Sequence, residues 1–555
     1  MIEELTPQVM MVLMLLIIVS STILTATLSL LLLSRYRRSV MRLMMSQGRY
    51  GAQLAETSIP VGMPAAAIGG GEALYRRAVT APRRSAVTLL FPVLLFALVL
   101  AQAAIIVYPS GLGLPGFLIA VWVYLWPGVL ALQLVLPGAF KQRIIPPFLY
   151  FIGFVLLGVL AATTVTNLPE YHFGGFHLSA RSTVTPWGMV RLWLLVNAAP
   201  TILVWLCFNH RIRAVAPMML ALSTTLVSGL LALWLAIFSM QGVDLFVALS
   251  AALDLHVVWL LSVALLLALL VFGALGWVLI RAIAQLYQRG GASDQSLQLD
   301  ALLLLFANSY GMWLVSGGVL WYAVVPGAFL AYRLSLAWMT HRLMRGPTAP
   351  QGLTFLRVFA LGQRSEALLN EIAGYWRYLG SLQVITGPDL ARSTLQPHQF
   401  LDFLGGRLES HFVQDLASLR RSLAQRKHHP DPDGRYRINN FFCRDDSWQA
   451  VLTQLVQAGD IVLMDLRSFT AANAGCIAEL RLLVGTVPFD RCLLLVDAST
   501  DQDFLRSTLK ESWEQLPPDA VNHHTPPDEL GTFDCKHGEV PVQPLIARLC
   551  QAVSG

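Results

Sequence analysis

Seven apolar runs constrain this chain more than any other feature in it: residues 9–33, 86–108, 114–137, 145–166, 188–208, 215–240 and 256–281. A bilayer core of about 30 Å requires roughly 20 apolar helical residues, so each run is long enough to span. Composition agrees. The chain is 55% hydrophobic and 13% charged, where a soluble protein carries about 25% charged residues. Residues 297–343 are also apolar but include Asp300, Asn308, Gly317, Gly318 and Pro326. They read either as a hairpin of two spans or as an amphipathic stretch on the membrane surface, which makes the total seven or nine helices.

Orientation follows from the basic residues. Arg35 to Arg84 lie between the first two runs, Lys141 and Arg143 after the third, Arg211 and Arg213 after the fifth, and Arg281 and Arg289 after the seventh. All fall on one side when the N-terminus is outside. Either total is odd, so the chain after Arg342 and Arg345 lands on the basic, cytoplasmic side of a plasma (inner) membrane. The first run follows Glu3 and Glu4 rather than a basic stretch and has no small-residue cleavage site, so it is expected to remain as a helix.

The cores of the seven runs are nearly free of Asp, Glu and Lys, and ionisable residues are what mark a transport pathway. The region therefore reads as a scaffold, with a transporter carrying a regulatory domain as the less favoured alternative. Asn197, three residues before Pro200, fits a broken-helix binding site or, preferably, a helix–helix hydrogen bond beside a tolerated kink. Glu170, His172 and His177 in the loop after the fourth run match no standard zinc spacing and read as interfacial residues. Residues 45–81, with Gly69, Gly70 and Gly71, read as a linker with basic ends. The net charge of +6 is a topology signal, not a nucleic-acid one. None of the six cysteines forms a CxxC pair, so free thiols in a reducing compartment are expected.

After Gly346-Pro347 the pattern changes, dividing the chain into a multi-span domain (1–345) and a cytoplasmic α/β domain (346–555). Short apolar strands are expected at 356–361, 382–386, 436–443, 461–465 and 492–497, alternating with helices at 365–379, 398–425, 447–458, 474–484, 502–516 and 544–553. This alternation predicts a mostly parallel five-stranded sheet covered on both faces. Ligands of such sheets bind outside the carboxyl ends of the strands. Gly362 and Ser365 follow the first strand, Thr386 and Asp389 the second, Trp448 the third, and Asp465 and Arg467 the fourth, and these are the candidate binding residues. Gly362 to Ser365 could hold a phosphate at a helix start or be a plain turn. Neither GxGxxG nor GxxxxGK[ST] is present. Trp448 could stack on a base, although packing on the sheet behind a helix cap is preferred. His523, His524, Cys535 and His537 fit no zinc class and read as a solvated loop.

The densest constellation is IVLMDLRSFTAANAGCIAEL, residues 461–480, in which a strand ends at Asp465, a polar loop carries Arg467, Ser468 and Asn473, and a helix opens with Cys476 and Glu479 one turn apart. It resembles the Toll/interleukin-1 receptor (TIR) family, where a strand leads through a serine-containing loop into a W-C-x-x-E-L-like helix start. Cys476, Glu479 and Leu480 match that motif, and Gly475 stands where tryptophan is usual. Residues 382–386 followed by Gly387-Pro388-Asp389-Leu390 are similar to the family's second strand and its D-L loop.

The resemblance implies that Glu479 is the catalytic residue of an NAD glycohydrolase, with Cys476 and Ser468 beside it, that NAD is a substrate, that no cofactor is required, and that the chain self-associates. Read from the residues alone, Glu479 also fits a carboxylate favoured by a helix dipole, and Cys476 a small buried cysteine. The expected function is thus a membrane-anchored sensor or effector that binds or hydrolyses a nucleotide such as NAD. The alternative is a non-catalytic assembly module on a membrane scaffold.

Overall fold

The computed structural model describes residues 7–45, 70–108, 113–137, 140–164, 170–173, 176–179, 185–208, 215–237, 240–314, 318–343, 350–358, 363–386, 397–406, 408–413, 416–424, 429–443, 448–458, 461–535 and 540–554. They form two compact units: Met1–Leu33 with Ala86–Thr340, and Ser34–Ser85 with His341–Gly555.

The first unit is helical. Its segments are α1 (Pro7–Met45), α2 (Gly71–Val107), α3 (Gly113–Tyr124), α4 (Trp126–Val135), α5 (Phe140–Thr164), α6 (Pro186–Phe208), α7 (Ala216–Ile237), α8 (Met240–Leu253), α9 (Val257–Gln288), α10 (Asp294–Leu314) and α11 (Val324–Leu343). The C-terminal end of α1, from Ser34, and the N-terminal end of α2, to Ser85, group with the second unit. The described residues of each of the seven apolar runs lie mainly on helix, and the described part of 297–343 comprises α10, a 3-10 turn at Val319–Ala323 and α11. Among the described residues four helical stretches are long and apolar enough to cross a membrane: Gly71–Val107, Gly113–Val135, Val258–Gln288 and Leu320–Leu343. Four such helices suggest a membrane protein.

Leu302, Phe306 and Tyr310 place α10 within the helical core, each fully buried. Asn197, fully buried there, is paired across helices, as an apolar surrounding favours. The Tyr310 hydroxyl donates to Asn197 Oδ1 (2.6 Å), and Asn197 Nδ2 donates to the Val123 carbonyl (3.5 Å). Asn197 is thus a helix–helix hydrogen-bonding residue. Arg333 pairs with Asp300 at 2.7 Å. Strands β1 (Glu170–Phe173) and β2 (Phe176–Ser179) form an antiparallel hairpin whose register sets His172 opposite His177.

The second unit is built on a parallel sheet of β3 (Leu353–Arg357), β4 (Leu382–Thr386), β5 (Phe412–Val413), β6 (Ile438–Cys443), β7 (Ile461–Asp465), β8 (Cys492–Asp497) and β9 (Gly531–Cys535), in the order β5-β6-β4-β3-β7-β8-β9. The sheet has seven strands rather than the expected five. The additions are both edge strands that escape an apolar-run search: β5 has two residues, and β9 reads Gly-Thr-Phe-Asp-Cys. The first strand starts at Leu353 and ends at Arg357, earlier than the expected 356–361.

The helices are α12 (Gln363–Trp376), α13 (Pro397–Leu404), α14 (Leu416–Ala424), α15 (Trp448–Ala458), α16 (Ala474–Thr486), α17 (Gln502–Glu514) and α18 (Val542–Ser554). The single helix expected over 398–425 is instead α13, a 3-10 turn at Leu408–His411, β5 and α14. Gly405-Gly406 breaks it, with Gly406 in the left-handed region at φ 73°.

Strand residues alternate between two cores, as the two-residue period requires. Phe355, Val384, Leu463 and Leu495 pack with Leu369, Ile372 and Trp376 of α12 and Leu545 and Leu549 of α18. Leu356, Ile385, Met464 and Leu494 pack with α15, α16 and α17 through Leu455, Leu480 and Leu505. Burial on both faces is what allows an all-parallel sheet. Ala78, early in α2, packs into the first of these cores.

Candidate functional site

With β5 and β6 set aside, the order β4-β3-β7-β8-β9 is 2-1-3-4-5 in chain sequence, and its switch point lies between β3 and β7. Chain connections diverge there, the place where doubly wound sheets hold a ligand crevice at the strands' carboxyl ends. Arg357 and Asp465 close those two strands as register partners.

Asp465 is fully buried. It accepts the Arg467 fork, Nε to Oδ1 at 2.8 Å and Nη2 to Oδ2 at 2.7 Å, as well as the Ser365 hydroxyl at 3.0 Å and the Arg467 amide at 3.3 Å. A carboxylate has about four acceptor positions, so Asp465 is saturated. It anchors the crevice rather than acting as a base. Ser365 reaches it from the first turn of α12, a hundred residues away in sequence.

A second carboxylate continues the network. Asp497, at the end of β8, accepts Arg364 Nη2 (3.0 Å), the Ser499 amide (2.9 Å) and the Ser499 hydroxyl. Burial works against its charge, but Ser499 and Arg364 outweigh it and hold the carboxyl below the usual aspartate value. Ser499 Oγ lies 3.0 Å from both the amide nitrogen and the hydroxyl of Ser468. Ser468 has φ 59°, in the left-handed region that a residue with a Cβ rarely adopts. That backbone is locked by the Ser499 contacts, and strain of this kind collects at functional sites.

Glu479, on α16, is 2% exposed. Burial pushes its carboxyl up to about 8, with Arg357 opposing the shift. Its Oε2 has no hydrogen-bond partner among the described residues. At neutral pH the side chain is therefore mainly the neutral acid, a donor rather than a carboxylate. Cys476, one turn earlier and 2% exposed, donates its thiol to the Arg357 carbonyl at 3.7 Å, as a small buried residue does.

The structure thus brings Ser365, Asp465, Arg467, Ser468, Cys476 and Glu479 to the carboxyl ends of β3, β7 and β8. Thr386 lies one strand over, buried and in register with Phe442. Trp448 opens α15 half-buried and packs on the core beneath the sheet. Gly362 and Asp389 lie outside the described residues.

The sequence pattern singles out none of Arg357, Arg364, Asp497 and Ser499 as a site residue. A lone arginine at the end of an apolar strand was the available signal for Arg357. The groups that remain accessible are the Arg364 guanidinium, 46% exposed, and the Ser468 and Ser499 hydroxyls. The guanidinium is a donor suited to phosphate oxygens, while the single hydroxyl protons of Ser499 and Ser468 are engaged with Asp497 and with Ser499. Comparison of the chain with protein-family models, curated proteins and solved structures finds no match in any of the three.

Proposed function

We propose that this chain is a multi-pass protein of the plasma (inner) membrane whose α/β unit faces the cytoplasm and binds a nucleotide such as NAD at the β3/β7 crevice. One observation carries the reading: the accessible Arg364 guanidinium stands with the Ser468 and Ser499 hydroxyls at the switch point, on a base held rigid by the Asp465–Arg467 fork. Strand ends at a switch point are where doubly wound sheets place ligands. A guanidinium suits a pyrophosphate, and hydroxyl oxygens beside it can accept from a ribose.

The burial of Glu479 favours binding over cleavage. A carboxylate that stabilises an oxocarbenium-like centre must be ionised and must reach the sugar, whereas this carboxyl is buried and raised to about 8. Under this proposal a bound nucleotide is the signal that a membrane-anchored sensor or effector reads, and hydrolysis requires that α16 move. The test is titration calorimetry of the full-length protein in detergent with NAD, alongside an assay for released nicotinamide. Saturable binding that falls about tenfold in Arg364→Ala, without nicotinamide release, is the expected result. Absence of NAD binding by the unaltered protein would reject the proposal, and turnover lost in Glu479→Gln would restore the enzyme reading.

A further inference from the structure

Residues 34–85 hold nine arginines, two glutamates and no lysine or aspartate. The whole chain has a net charge of +6, so this one segment carries the positive charge and the remainder is close to neutral. On the C-terminal end of α1, Arg35, Arg38 and Arg42 are exposed and recur at i, i+3 and i+7, which sets them on one helix face. The opposite face is buried through Tyr36, Val40 and Met44. Tyr36 packs edge-on against Phe400 and Phe403 of α13, with ring centroids 6.1 and 5.4 Å away, and that packing fixes the rotation of α1 so that the three arginines point outward. On α2, Arg83 and Arg84 are exposed as well. Among the described residues no aspartate or glutamate forms an ion pair with any of these five arginines. Arg38 donates to the carbonyl and the hydroxyl of Ser34 on its own helix, each at 3.4 Å.

We propose that these exposed arginines dock on an anionic phospholipid surface, an inference that rests on the membrane reading above. Their placement carries it. Arg35 stands two residues past the apolar run that ends at residue 33, and Arg84 two residues before the run that starts at residue 86. The helix that holds Arg84 is among the four stretches able to cross a membrane. Guanidinium groups this close to the end of an apolar stretch lie near the depth of lipid phosphates when the stretch is in a bilayer, and they meet phosphate oxygens in charge-assisted hydrogen bonds. From Arg35 to Arg42 the helix advances about 10 Å, close to one Debye length at about 0.1 M salt, so all three arginines of α1 stay within reach of the surface charge. Each basic group near such a surface raises affinity about fivefold, and clusters of about four to eight beside a span are the pattern that recognises anionic lipid. A zwitterionic surface has no net charge for this face to neutralise.

The experiment uses the full-length protein reconstituted into phosphatidylcholine vesicles, with spin-labelled phosphatidylglycerol or spin-labelled phosphatidylcholine as the probe. The motionally restricted fraction of each probe, read by electron paramagnetic resonance, gives the relative association of the two lipids. At low salt phosphatidylglycerol should associate about fivefold more strongly, and the preference should fall toward unity at about 0.5 M salt because the arginines are exposed. Arg35→Gln/Arg38→Gln/Arg42→Gln should remove most of the preference, whereas the corresponding triple lysine variant keeps the charge and should keep it. Arg420→Gln/Arg421→Gln, which alters two exposed arginines on α14, should leave it unchanged. If the glutamine variant does not fold, the salt series on the parent decides. Equal association of the two lipids, a preference that survives high salt, or one that a folded glutamine variant retains overturns the proposal. Salt-sensitive capture of a DNA duplex without any lipid preference would assign the face to nucleic acid and overturn it too. Failure of the protein to float with the vesicles would instead reject the membrane reading, and this inference with it.

Discussion

Ser365 Oγ donates to Asp465 Oδ2 across 3.0 Å, tying the first turn of α12 to the end of β7. This bond, with the Arg467 fork on the same carboxylate, fixes the floor of the β3/β7 crevice. Its consequences for stability and ligand binding can be separated by substitution.

Asp465→Asn leaves the Arg467 guanidinium, 5% exposed, without its counter-charge. Breaking a buried pair from one side costs about 3 to 5 kcal/mol. Ser365→Ala removes one neutral donor from the same carboxylate and costs about 1 kcal/mol. Thermal unfolding of the α/β unit in detergent should show the first variant melting well below the second. Equal midpoints would mean that the fork does not hold the crevice.

Gly380, just before β4, offers a test of packing away from the site. A Cβ there would sit 1.9 Å from the Gln351 carbonyl oxygen, which also accepts the Trp376 indole N–H at 3.1 Å. The obstruction is backbone, so neighbouring side chains cannot relieve it. Gly380→Ala should destabilise the unit by about 1 to 3 kcal/mol, read as a lower urea midpoint with an unchanged slope.

In the helical unit, Tyr310→Phe removes the donor to Asn197 and leaves a buried acceptor short of one partner. Hydrogen bonds between helices in an apolar environment are worth about 0.6 to 2 kcal/mol. The variant should unfold more readily in denaturing detergent by that amount. Asn197→Leu orphans the buried Tyr310 hydroxyl and the Val123 carbonyl and should cost at least as much, whereas adding Tyr310→Phe to it removes the orphaned hydroxyl and should recover part of the loss. A transport pathway through Asn197 would instead show the two variants abolishing a flux.

How much of this was legible beforehand depended on the range of the interaction involved. Helices such as α2 and α9 announce themselves through local apolar runs, and β4, β7 and β8 through short blocks of fully buried residues. β9 does not, because an edge strand exposes alternate residues and Thr532 and Asp534 dilute its apolar pattern. Asp465, Arg467 and Glu479 stood out as a local cluster. Their meaning did not, since Ser365 and Arg357 arrive from about a hundred residues away. Whether Glu479 faces ligand or core depends on how α16 rotates against β3 and β7, and no helical period specifies that.

Glu479 gives the sharpest prediction. Its carboxyl is raised to about 8 in the folded chain, whereas an unfolded glutamate titrates near 4.3. Between those values the folded state holds a proton that the unfolded state has lost. Stability therefore falls as pH rises through this window, by up to about 1.4 kcal/mol per pH unit, and levels off above it. The sign is opposite to that of Asp497, whose lowered value contributes stability that is lost as pH falls. Glu479→Gln keeps the shape and the neutral charge of the acid, so it should flatten the profile between pH 5 and 8 and leave the variant more stable than the parent at pH 8. Nucleotide binding should survive the change, because the accessible polar groups are those of Arg364, Ser468 and Ser499. If the unit instead cleaves NAD through an ionised Glu479, turnover should climb with pH toward 8 and vanish in the glutamine variant. A parent profile that runs parallel to the variant's across the window would mean that Glu479 is ionised in the folded chain, and the argument against cleavage would fall with it.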